Sequence, residues 1–88
     1  MKFEATLSNT NTIFDSSEFD TFEAALEWSM NRGKHYKVNI THGNVSYDFA
    51  VVNGSSIQCY DPFSGKWYFV AKEDVKKECG TLLDPDYL

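Results

Sequence analysis

The chain is poor in bases. Eight Lys and Arg stand against thirteen Asp and Glu in 88 residues, a formal charge of -5. A bulk nucleic-acid binder needs a basic footprint, so that class is set aside and no direct nucleic-acid contact is expected. Long apolar runs are also missing. None approaches the roughly 18 residues that span a bilayer, so no membrane span is expected. Met1–Ser8 alternates polar and apolar residues and lacks the apolar stretch of a secretory signal, so the expected setting is the cytoplasm of the host cell. Cysteine is scarce: Cys59 and Cys79 form no Cys-x-x-Cys pair. In a reducing compartment they read as two small core residues rather than as a disulfide. Internal repeats and low-complexity segments are absent.

Catalytic and metal-binding patterns are lacking as well. His35 and His42 have no ligand spacing with either cysteine, so no metal and no cofactor are expected. No Gly-x-Ser-x-Gly or comparable nucleophile context occurs, and no catalytic residue is assigned. His42 and Asp48 are placed for a structural hydrogen bond across a hairpin. The chain reads as a non-enzyme.

What is there is apolar and aromatic. Hydrophobic residues make up 42% and aromatics 16%, which is enough for a globular core. The length fits a single domain over residues 1–88. Phe3, Ala5 and Leu7 alternate with polar neighbours and predict a half-buried strand. Asn9–Thr12 is turn chemistry opening a long connection through Glu18, in which Ile13 and Phe14 dock. Phe22, Ala25, Leu26, Ser29 and Met30 form one stripe at helical spacing. Asp20, with Glu23 three residues on, or Thr21 caps that helix, and Gly33 ends it.

Four strands follow: Tyr36–Thr41, Val45–Val52, Ile57–Tyr60 and Trp67–Ala71. His42-Gly43-Asn44, Asn53-Gly54 and Asp61–Gly65 supply the turns of a meander. Glu73–Glu78 predicts a short last helix stopped by Gly80. The expected class is α+β: a five-stranded, mainly antiparallel sheet, one helix on a face, and a short C-terminal helix. The pairing of the first strand, which must return across the helix, stays open.

Two candidate surfaces emerge. Met1–Asn31 holds one base, Lys2, against six acids and so carries the whole charge excess. Asp20, Glu23 and Glu27 fall on the helix side away from the core stripe, with Asp15 and Glu18 just before it. Glu23 and Glu27 repel at i,i+4, and no base is expected nearby to relieve them. This is either a solvated face or an acidic surface for a basic partner. The second surface is aromatic. If Trp67 and Phe69 point into the core, alternation sends Tyr60 and Tyr68 to the opposite face with Ala50, Val52 and Val70. Trp28, Tyr60, Phe63 and Tyr68 are then the candidate anchors. Alternatively the tail, with Leu82, Leu83, Tyr87 and Leu88, folds over that face. Gly65–Val70 loosely resembles the aromatic strand of an RNA-recognition motif, and ordinary strand alternation accounts for it.

In shortness, acidity and α+β character, over Asp15–Glu27 and Tyr60–Phe69, the chain resembles the small anti-defence proteins of phages, including anti-CRISPR proteins. The resemblance covers overall character rather than a motif. It implies a protein-binding inhibitor whose partner is a basic, nucleic-acid-handling complex. The alternative is a homo-oligomeric accessory domain, a homodimer pairing through the aromatic face or an edge strand.

Overall fold

The structure, a computed structural model, describes residues 1–10, 12–32, 35–53 and 56–82. Its strands are β1 (Phe3–Asn9), β2 (Thr12–Phe19), β3 (His35–His42), β4 (Val45–Val52), β5 (Ser56–Asp61), β6 (Lys66–Val70) and β7 (Gly80–Leu82). Helix α1 spans Phe22–Ser29; a 3-10 turn, Lys72–Asp74, leads into α2, Val75–Glu78. All strand pairs are antiparallel, in the order β2-β1-β3-β4-β5-β6, with β7 beside β4. The fold is therefore α+β, and β3 to β6 form the expected meander.

One face of the sheet is the core. Residues directly opposite in an antiparallel pair share a face. Ala5 lies opposite Ile40, Leu7 opposite Val38, Val38 opposite Phe49, and Val51 opposite Ile57. All of these are buried. The helical stripe closes over them: Phe22, Ala25, Leu26 and Ser29 are buried, as is Met30 just beyond the helix. Phe22 meets Tyr47 edge-on at 4.7 Å between ring centres and Phe3 at 6.3 Å. The Tyr36 hydroxyl donates to the Ser29 carbonyl and accepts from the Arg32 amide (3.0 Å), tying the end of α1 to β3. Thr21 is the cap: its hydroxyl accepts from the Ala24 amide at 3.1 Å, while Asp20 pairs instead with Lys2. The Gly33 stop lies outside the described residues.

Four expectations need correction. The connection after β1 is a strand. β2 pairs along β1, from Phe3 opposite Phe19 to Asn9 opposite Thr12, with Phe14 as an extra residue at a bulge. β1 thus lies between β2 and β3. The predicted last helix is shorter and begins as a 3-10 turn, and the last meander strand ends at Val70 rather than Ala71. Gly80 opens a strand: Tyr47 lies opposite Gly80 and Val45 opposite Leu82.

Gly80 is there because Tyr47 is close. A Cβ at position 80 would sit 2.9 Å from the Tyr47 ring, which is held between Gly80 and Phe22. Gly80→Ala is expected to cost about 1–3 kcal/mol by overpacking. Chemical denaturation measures it, and a change below about 0.5 kcal/mol would show that the ring moves freely aside.

Candidate aromatic hairpin and acidic residues

The β5–β6 hairpin is pinned at its tip. The Gly65 amide donates to the Asp61 carbonyl at 2.8 Å, and Gly65 takes φ +72°. The Asp61 carboxylate accepts from the Phe63 amide at 3.0 Å and from the Ser64 hydroxyl at 2.9 Å. These donors, the Ser64 hydroxyl foremost, hold the Asp61 carboxyl below its ordinary range. A lowered folded-state pKa means that the contribution is present above the ordinary carboxylate range and lost as pH falls through the folded value. Acidification below that range is therefore expected to loosen the tip before the sheet. An NMR pH titration following the Phe63 and Ser64 amides checks this. Tip and sheet signals moving together would refute it.

The rings around this tip are open to solvent. Phe63 is 99% exposed, Phe69 68%, Tyr60 49%, Trp67 44% and Tyr68 38%. The register keeps Tyr60 on the expected face and reverses the expected facing of β6. Tyr60 lies opposite Trp67 and Gln58 opposite Phe69, so Tyr60, Trp67 and Phe69 share the face away from the helices. Tyr68 lies opposite the buried Cys59, and Val70 opposite Ile57, on the helix face. Trp67 and Phe69 do not enter the core. The core thins at β6: Val70 packs against it, partly buried, while Lys66–Phe69 are exposed. Tyr60 and Trp67 pack at 5.3 Å between ring centres. Asp48 lines the shallow groove beside them together with Lys37. Asp48 bonds to the Asn39 amide at 2.8 Å, while His42 stacks on Phe3 at 3.9 Å. The expected His42–Asp48 pairing thus gives way to other partners.

Trp28 is elsewhere. It is half-buried, 5.3 Å from Phe19 and under the Arg32 guanidinium at 4.6 Å. That places it beside β2, at the opposite sheet edge from β6. The tail residues Leu83, Tyr87 and Leu88 lie outside the described residues, as does the Leu82 side chain.

Three of the five acidic residues have base partners. Asp15 sits 3.8 Å from Arg32, Asp20 pairs with Lys2, and Glu27 pairs with Lys72. A base therefore does relieve the i,i+4 acids, from 45 residues along the chain. Lys2 holds the Asp20 carboxyl below its ordinary range, first by a hydrogen bond and then by its charge. Glu18 lies opposite Glu4 on the face away from the helices, whereas Glu23 lies on α1.

The cysteines depart from their expected reading. Cys59 on β5 and Cys79 after α2 are disulfide-bonded, with Cα atoms 5.9 Å apart, tying the hairpin to the C-terminal segment. Among the described residues no cluster of three or more His, Cys, Asp or Glu is arranged to hold a metal, and no helix is long and apolar enough to cross a membrane. No family model, no curated protein and no solved structure matches the chain.

Proposed function

We propose that this is a small, non-catalytic protein-binding domain that docks a partner through the β5–β6 hairpin. One observation carries the reading: Tyr60, Phe63, Trp67 and Phe69 are exposed on a hairpin whose tip is held by its own hydrogen bonds. A tip backbone held before contact loses little entropy on binding, and aromatic rings are among the residues that dominate interface energy. The acidic alternative is weaker, because three of its five acids are paired with bases and the five are spread over two layers. With the resemblance to phage anti-defence proteins, the proposal extends to inhibition of a nucleic-acid-handling complex in the host cytoplasm. In that reducing setting Cys59 and Cys79 would be thiols, and the hairpin would lose its covalent tie.

The test is capture from host lysate with mass spectrometry, comparing the wild type with Phe63→Ala and with Glu23→Lys/Glu27→Lys. The same protein should be retained by the wild type and the charge-reversed form across a rise in salt, and lost by Phe63→Ala. Loss on charge reversal, with retention by Phe63→Ala, would instead make the acids the site.

Rings on a sheet face are also a platform for single-stranded nucleic acid. Glu4, Glu18 and Asp48 share that face and oppose a phosphate backbone. Tryptophan fluorescence unchanged by oligonucleotide at low salt separates the two readings.

A further inference from the structure

We propose that β6 is a self-pairing edge: two copies of this chain join antiparallel along Lys66–Val70, about a two-fold axis normal to the sheet. This goes beyond the docking reading and can fail without it.

The sheet has two ends, and they are built differently. β2 carries devices that discourage pairing: the Phe14 bulge and the acids Asp15 and Glu18 within the strand. β6 carries none of these. It runs in unbroken register with β5 from Lys66 to Val70, without a bulge, a proline or an acid, and with its one lysine at the end. Among the described residues only β5 pairs with it. Its rings are exposed on both faces, Tyr68 on one and Trp67 and Phe69 on the other. A strand added along this edge would shelter both sets at once.

The edge is complementary to itself. Pairing centred on Tyr68 uses all five residues. It sets Trp67 opposite Phe69 of the second copy, on the same face, and Lys66 opposite the second copy's Val70, so no like charges meet. Aromatic cross-strand pairs of this kind are favourable. Tyr60 already packs against Trp67, with the rings tilted. The two hairpins then make one row of rings, a wider platform of the sort the proposed docking uses.

Charge points to the same edge. The -5 excess lies in Met1–Asn31, which folds into β1, β2 and α1 at the far end of the sheet. Five strand spacings separate β2 from β6, roughly 24 Å. That exceeds the screening length of about 8 Å at physiological salt. Pairing through β6 holds the two acidic ends apart, whereas pairing through β2 would bring Asp15 and Glu18 of both copies together. A five-residue edge is short, so the association belongs with the weak, concentration-dependent class.

The experiment is sedimentation of the full chain from about 10 µM to about 1 mM. The mass should rise with concentration from 10.1 kDa towards twice that value. Phe69→Lys should abolish the rise and Ile13→Lys, on the β2 edge, should preserve it. Circular dichroism confirms that each variant folds, and Tyr68→Lys replaces Phe69→Lys if the latter does not. A monomer at the highest concentration, a dimer that survives the β6 variant, or one lost in Ile13→Lys overturns the inference. A monomer that still captures its partner would overturn this inference alone and leave the docking reading intact.

Discussion

Phe49→Ala is expected to lower the unfolding free energy by about 3–5 kcal/mol. Phe49 is the largest of the fully buried side chains. It sits at the centre of the sheet on β4, opposite Val38 and on the face that α1 covers. Its removal takes a ring out of water-free packing and leaves a cavity that β3 and β4 cannot close. Their backbones are fixed by eight consecutive pairs, from His35 opposite Val52 to His42 opposite Val45. A domain of this length has roughly 4–13 kcal/mol of stability in total, so one substitution removes a large share of it. In urea the midpoint should fall with the slope unchanged. A loss under about 1 kcal/mol would mean that the site collapses and that the sheet is softer than its pairing implies.

Opening the Cys59–Cys79 bond is expected to cost about 3 kcal/mol, from the chain entropy of a 20-residue separation. The effect should also be local. Within the described part of the C-terminal segment the elements are short: α2 has four residues, too few to be stable alone, and β7 has three. Val75, Cys79 and the contact of Gly80 with Tyr47 anchor it to the core. Under reductant, or in Cys59→Ala/Cys79→Ala, hydrogen exchange at Gly80 and Thr81 should accelerate before that of β3 and β4. Equal urea midpoints with and without reductant would show that the bond carries no stability. The same comparison separates compartments, since a cytosolic protein would operate in the weaker, reduced form.

The helix and the meander were legible because burial is one-sided there. The Phe22/Leu26 stripe and the alternation of Tyr36, Val38 and Ile40 each record a face pressed against the core. β2 left no such record. Six of its eight residues are exposed, so no alternating apolar face marks it, and Thr12–Phe19 resembles a loop. For β7, three residues are too few to show a period; pairing with β4 alone makes them a strand.

The candidate site divides the same way. The sequence by itself determined that the acids cluster in the first third and that rings crowd Tyr60–Phe69. Only the tertiary structure decided what those groups face. It brought Arg32 and Lys72 to the acids and turned a charged stretch into separate ion pairs. It sent Trp67 and Phe69 to the open face and Tyr68 to the other. Alternation fixes which residues share a face and is silent on which face is buried. That choice belongs to what packs over the sheet, which buries Ile57 and Cys59 on β5 and leaves Trp67, Tyr68 and Phe69 exposed on β6.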